Sequence, residues 1–344
     1  MAATRLWVRG SMKSKFVANV VDLEGNGRST RLAMACNGLD YNLSRFRFRK
    51  LLGQGNFGEV HLVAHTVLHG VYALKITKPN VTEEAALMTI IEMMVLLRIQ
   101  REPHMNIISA LAMDDTYVLL PMLLPVAERD FFGIIARSGW SIEIQLILLL
   151  DAVEGVRHLH DALGVVHMDL KAENILVFSR PHLHAKVADF GHTRATGERC
   201  PSRLGTLGYS SLEVLSSPFF AWPRHDIFSL AVVLLLVCTK TGYKHSNMFR
   251  HPVITTVHEK WMLRNLRAAN IPTADFEGEV MRRTIGDGTF GSIVLAPENM
   301  NRVVRSPDVL CAHLRRFLTS TPYNIPDMAS LKRVIQQFVA DVRQ

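Results

Sequence analysis

The chain has 344 residues, 48% hydrophobic and 20% charged, a balance that excludes a disordered protein and suits one large or two small cored domains. Its longest nearly uninterrupted apolar run, IFSLAVVLLLVC from Ile227 to Cys238, falls short of the roughly 20 residues that cross a bilayer, so it predicts a buried helix and no membrane partner. The formal charge of +8 is concentrated at one end: residues 1–50 hold ten Lys/Arg against three acids, 10 − 3 = +7, leaving about +1 for the rest. These charges are spread out, which argues for a solvated tail and against nucleic acid. Arg5, Arg9, Lys13 and Lys15 interrupt any apolar signal segment, and Cys36, Cys200, Cys238 and Cys311 show no C-x-x-C spacing. The expected home is the cytosol or the nucleus.

Residues 1–44 show little periodicity and read as a basic extension. RFRFRKLL then alternates Arg45, Arg47 and Arg49 with Phe46 and Phe48, the period of a strand with one wet and one buried face. It runs into GQGNFGEV, Gly53 to Val60, and two further strands around a turn at His69 and Gly70. A helical pattern covers Glu83–Ile99. Beyond Ser141 the chain is mostly helix, and SIEIQLILLLDAVEGVRHLHDA is apolar on more than one face, which predicts deep burial. HLH at His182–His184 reads as a hairpin turn, not a metal site, for want of a third ligand. A strand-rich start and a helix-rich remainder predict an α+β chain of two lobes: residues 45–124, then 125–344.

The chemistry-bearing residues follow the first glycine-rich stretch. Lys75 lies 17 residues after Gly58, and Glu92 a further 17 on. HMDLKAEN supplies His167, Asp169, Lys171 and Asn174, and ADFG places Asp189 fifteen residues after Asn174. GTLGYSSLE and HDIFSL, the latter with Asp226, come next. In this order the chain resembles the eukaryotic-type protein kinase family over roughly residues 46–240: glycine loop, strand lysine, helix glutamate, catalytic loop, D-F-G and the segment ending A-P-E.

Each residue type has a physical task in that setting. Gly53, Gly55 and Gly58 let backbone N–H groups approach polyphosphate, with Phe57 capping the site against water. Lys75 is a point charge for phosphates, held by Glu92, with Glu83 and Glu84 as the competitors for that ion pair. Asn174 and Asp189 are hard oxygen ligands suited to Mg²⁺. Asp169 orients or accepts the proton of the attacking hydroxyl, and Lys171 neutralises charge on the transferred group. The resemblance further implies ATP as phosphoryl donor, an adenine slot roofed by Val60 and Ala73 and floored by Leu176, and a hinge at Leu119–Leu124. Pro121 offers no N–H there, so Leu123 is the expected donor. His167 is expected to be a packed structural histidine. DLKAEN favours serine and threonine in protein substrates; a pseudokinase scaffold and a small-molecule kinase of the same broad fold are the rival readings. Nothing in the sequence sets the oligomeric state.

A second stretch, GDGTFGSI at Gly286–Ile293, repeats the glycine pattern, but Asp308 stands where a counterpart of Lys75 belongs and no lysine follows until Lys332. With 53 residues beyond Gly291, it is expected to be a turn-rich piece of the second lobe that does not touch nucleotide, with a decayed partial duplication as the alternative. Three departures stand out: Met168 for the arginine of H-R-D, Leu212 for the proline of A-P-E, and Pro121. In a compact basic chain they resemble kinases encoded by large DNA viruses such as herpesviruses. Met168 cannot pair with a phosphate, which predicts activity without phosphorylation of Thr193, Thr196 or Ser202.

Overall fold

In the computed structural model, which describes residues 46–55, 58–66, 70–77, 82–113, 121–136, 139–201, 204–206, 209–215, 218–238, 304–318 and 325–343, the alternating Arg/Phe stretch forms β1 (Phe46–Gln54). It pairs antiparallel with β2 (Gly58–His65), and β2 with β3 (Val71–Thr77). With β4 (Ala112–Met113) and β5 (Met122–Leu124) they make a sheet ordered β1-β2-β3-β5-β4. Val60, Val63, Val71, Ile76 and Thr77 are the β-branched residues that suit such pleated surfaces. The expected wet and buried faces of β1 are not both realised. Phe46 is buried, whereas Phe48 is 56% exposed and packs edge-on against His61. β1 is the sheet's edge, and its register shifts between Phe48 and Lys50 and again between Leu51 and Gly53, which breaks the period of two.

The helical pattern becomes α1 (Glu83–Arg101). Thr82 caps it, its hydroxyl accepting from the Ala85 N–H at 3.3 Å. Glu83 and Glu84 in the first turn and Arg98 and Arg101 in the last complement the helix dipole. Ile91, Val95, Leu96 and Ile99 are buried and tie the helix into the main core.

The second lobe starts at β6 (Arg129–Asp130) and α2 (Phe131–Ala136). It is built around α3 (Ile142–Asp161), capped by Ser141 and buried through Leu146, Leu149, Val153 and Val156. β7 (Val165–Val166) pairs with β10 (Arg194–Ala195), and β8 (Ile175–Phe178) joins β6 to β9 (His184–Val187). β11 (Arg199–Cys200) pairs with β12 (Phe219–Phe220), with the short α4 (Leu212–Leu215) between them. The apolar run forms α5 (Pro223–Cys238), buried from His225 to its end. α6 (Pro307–Phe317) packs on α5, and α7 (Met328–Arg343) packs on α3 and α5. The core is continuous from Ala73 and Ile91 through Leu149 and Val156 to Leu234 and Phe338. Each fully buried Leu, Ile or Phe contributes about 1.5–3 kcal/mol.

His182–His184 is the expected hairpin between β8 and β9, where the His184 ring N–H donates to the His182 carbonyl at 2.7 Å. Among the described residues no helix is long and apolar enough to cross a membrane. The basic extension, Phe57, the turn at His69 and the second glycine-rich stretch lie outside the described residues.

Candidate active site

Register on β3 sets Lys75 opposite Val60 of β2 and Met122 of β5. Its ammonium donates to both Glu92 oxygens at 2.8 and 2.6 Å and to Asp189 Oδ1 at 2.9 Å. Burial works against the lysine charge, but the carboxylates of Asp189 and Glu92 outweigh it and its pKa is raised. The Lys75 charge in turn holds Asp189 well below the usual carboxylate range, while burial pushes Glu92 up. Glu83 and Glu84 do not compete for the lysine, because they sit exposed in the first turn of α1.

Between β7 and β8 the catalytic-loop residues are held from below by Asp226 of α5, which is fully buried. Its carboxylate accepts from the backbone N–H groups of His167 at 2.8 Å and Met168 at 3.0 Å, and from the His160 ring at 2.8 Å. Burial opposes its ionisation, yet these donors keep its pKa below the ordinary value. They also hold Met168 at φ 68°, a left-handed conformation that costs a non-glycine residue about 1–3 kcal/mol. Asp189 is in the same region, at φ 67°.

His167 is the structural residue expected. Its Nε2 bonds the Ala188 carbonyl at 3.0 Å and its Nδ1 accepts from the Asp169 N–H at 3.2 Å, so it is a packed spacer. Asp169 carries the polar constellation: Lys171 Nζ reaches its Oδ2 at 3.1 Å, and the Thr206 hydroxyl donates to its Oδ1 at 2.6 Å. Lys171 also donates to Thr206 at 2.9 Å. The Asn174 amide nitrogen donates to the Asp169 carbonyl at 2.8 Å, leaving its oxygen for another partner. Thr206 is a site residue that the sequence reading missed. A lone threonine in GTLGY carries no spacing signal; only the fold brings it to Asp169.

These groups face a cleft of about 920 Å³ lined from above by Gly53, Gly55, Gly58 and Val60. The glycines differ in what they permit. A Cβ on Gly58 would stand 2.6 Å from the Ile76 carbonyl, so strand pairing alone demands glycine there. At Gly53 nothing lies within 4 Å, so that backbone is open to a ligand. On the floor, Asn174 and Asp189 present amide and carboxylate oxygens, the donor chemistry that suits Mg²⁺. Among the described residues no group of three or more His, Cys, Asp or Glu could hold a metal.

The adenine side needs a correction. Leu123 is not a cleft residue: its side chain is buried in the upper cluster with Phe46, Val63, Leu74 and Ala112, and its carbonyl accepts from Leu111 N–H at 2.7 Å. Pairing of β5 with β3 and β4 keeps residues 122–124 inside the sheet, so the connection between lobes begins at Pro125, and Pro121 precedes it. Met122 lines the cleft instead. Ala73 shares the face of Lys75 two residues on and is buried in the main core, and Leu176 of β8 packs half-buried against that core. Leu119 and Leu120 lie outside the described residues.

Glu213, at the end of GTLGYSSLE, is gripped by the Arg224 guanidinium at 2.7–3.0 Å.

Residues 46–274 match the protein kinase domain family. The carbon catabolite-derepressing protein kinase of Saccharomyces cerevisiae is 29% identical over 208 residues, 59% of this chain and 32% of that protein. The SNF-related serine/threonine-protein kinase of Rattus norvegicus is 30% identical over 207 residues, 58% of this chain and 27% of that protein. A probable cell division protein kinase of Encephalitozoon cuniculi is 32% identical over 200 residues, 57% of this chain and 72% of that protein. The chain thus spans about a third or less of the first two relatives. The strand lysine, the helix glutamate, the buried aspartate beneath the loop and the two-lobed α+β fold agree with the matched span, and the chain belongs to the protein kinase domain family.

Proposed function

We propose that this chain is a serine/threonine protein kinase that moves the γ-phosphoryl group of ATP to a hydroxyl of a protein substrate. One observation carries the reading: two bonded sets, Lys75–Glu92–Asp189 and Asp169–Lys171–Thr206, face one cleft. Lys75, held by Glu92, aligns the α- and β-phosphates. Asp169 accepts the hydroxyl proton as the substrate oxygen bonds to the γ-phosphorus; the bond to the β–γ bridging oxygen breaks and ADP leaves with that electron pair. Lys171 offsets charge on the phosphoryl oxygens, and Thr206 fixes both side chains. Catalysis of this type is mostly positioning and electrostatics.

Asn174 and Asp189 would hold Mg²⁺, which when bound neutralises phosphate charge. Gly53, Gly55, Gly58 and Phe57 would cover the phosphates, and Val60, Ala73 and Leu176 would enclose the base. The donors and acceptors for adenine move from Leu123 to the backbone of Val126 and Ala127, since Pro125 has no N–H and Glu128 N–H already donates to the Val177 carbonyl at 3.0 Å. Residues 1–44 stand outside the catalytic unit, 45–124 form its upper lobe and 125–344 its lower one.

The scaffold reading is disfavoured because every charged group above is present and bonded to its expected partner. The small-molecule reading is disfavoured by Lys171, bonded to Thr206 in the cleft, and by the GTLGYSSLE segment, whose Glu213 pairs with Arg224. Viral kinship has only the sequence departures behind it; the relatives named above come from a yeast, a mammal and a microsporidian. The test is radiolabelled ATP with a mixed protein substrate, followed by phosphoamino-acid analysis. Phosphoserine and phosphothreonine are expected; absence of protein label from folded, ATP-binding protein would favour the scaffold.

A further inference from the structure

We infer that His192 is a positioning residue of the phosphotransfer site, acting through the backbone of Gly205 on Thr206; the inference rests on the kinase reading above. His192 lies three residues after Asp189, half-buried and lining the cleft. The Gly205 N–H donates to its Nδ1 at 3.0 Å, across 13 residues of chain. Because Nδ1 accepts, the ring proton sits on Nε2 and the imidazole is neutral. Burial lowers the His192 pKa, in keeping with a neutral ring, with Asp169 and Asp189 favouring its charge and Arg194 and Lys171 opposing it.

Gly205 has little freedom to be anywhere else. It adopts φ 78°, and a Cβ there would stand 2.4 Å from the Met168 carbonyl and 3.0 Å from Ser210 Oγ. Its backbone is therefore pressed against the catalytic loop on one side and drawn by the imidazole on the other. The next residue is Thr206, whose hydroxyl bonds both Asp169 and Lys171. Thr206 thus has its backbone fixed one peptide away, and its side chain delivers that order to Asp169. The tether links the end that follows Asp189 to the end that faces the substrate hydroxyl.

A purely structural role would lower melting temperature and leave kcat of the folded protein alone. A positioning role lowers kcat, leaves the KM for ATP, and is restored by a residue that keeps the acceptor. The experiment uses the full chain and the variants His192→Leu, which keeps bulk and removes the acceptor, and His192→Asn, whose amide oxygen replaces it. Steady-state kinetics with radiolabelled ATP are paired with hydrogen exchange of the Gly205 amide. Expected is a fall in kcat of about tenfold for His192→Leu, the worth of roughly one hydrogen bond, with KM for ATP within about twofold. His192→Asn recovers most of the loss, and the Gly205 amide is protected in wild type and His192→Asn only. Wild-type kcat in His192→Leu, or equal impairment of both variants, overturns the inference. A wild-type protein that binds ATP without labelling substrate sinks the kinase reading. The exchange measurement then still decides the tether, since unchanged Gly205 protection in His192→Leu would refute it.

Discussion

The catalytic loop and the segment that faces it, residues 190–221, differ in what lies beneath them, although polar bonds such as Glu213–Arg224 and Gly205–His192 also tie the segment down. Beneath the loop lies one buried carboxylate, Asp226, with donors from His160, His167 and Met168. Beneath the segment lies an apolar cluster of Val166, Met168, Cys200, Leu204, Val214, Phe219 and Ala221, with the short pairings β7–β10 and β11–β12 at its edges. Met168 belongs to both, its N–H on Asp226 and its side chain in the cluster. Directional charge-assisted bonds fix a few atoms tightly, whereas apolar burial holds a wide surface with no need of a counter-ion. The side chain that in an H-R-D loop would be a cation is here part of the packing.

The largest expected effects test what the charge-held loop delivers. Asp169→Asn and Lys75→Met should each cut turnover by about 10² to 10⁴, and Asp169→Asn should still bind ATP, read by nucleotide titration. Retention of more than about a tenth of wild-type turnover in either variant would remove those residues from the chemistry.

Next is the support itself. Asp226→Ala leaves two N–H groups and His160 facing a buried gap, which should cost about 3–5 kcal/mol in denaturant unfolding. The carboxylate also has a pH signature. Its native pKa lies below the ordinary 3.8, so its stabilisation is complete above that value and fades as pH falls through the depressed native one. Asp226→Asn should therefore show a shallower acid loss of stability than wild type; identical acid slopes would mean that the charge does not anchor the loop.

A smaller effect is expected at the junction. Met168→Arg forces a guanidinium into the apolar cluster and should cost about 1–3 kcal/mol, seen as faster proteolysis within residues 190–221. A more protected segment would show that the cluster has room for a cation and that packing is not what orders it.

The sequence made the loop far more legible than the segment. Lys75, Glu92, Asp169, Lys171, Asn174 and Asp189 stand at spacings that few other folds require, and the structure brings all six to one cleft. The helices at Glu83 and Ile142 and the apolar α5 were readable because burial imposes a period, or abolishes it. Thr206 and His192 act through a hydroxyl and a ring nitrogen whose partners lie 37 and 13 residues away, a relation with no local pattern. The hinge was misplaced because Leu119–Leu124 is uniformly apolar, and only β-pairing tells which leucine ends the strand. Phe48 misled for the opposite reason: its alternation is regular, but it lies on an edge strand with broken register.

The smallest expected effect is the one that most sharpens the contrast between the two regions. If the apolar cluster suffices, a phosphate on the segment has nothing to add. Thr193 is fully buried and so is closed to a modifying enzyme in this conformation, which removes it from the three candidate positions. Thr196 is exposed, and its N–H already donates to the Gly164 carbonyl at 3.0 Å; Ser202 lies outside the described residues. Of the segment's cations, Arg194 is turned inward, bonding the Thr193 carbonyl at 2.8 Å and lying 3.8 Å from Glu198. It is not displayed as a phosphate pocket, which leaves the exposed Arg199 as the described cation able to meet one. Phosphatase-treated enzyme and a Thr196→Ala, Ser202→Ala double variant should both turn over within about threefold of the untreated protein, since a surface ion pair is worth only about 0–1 kcal/mol. A fall of tenfold or more in both would show that a phosphate orders the segment despite Met168, and that the apolar cluster alone does not hold it.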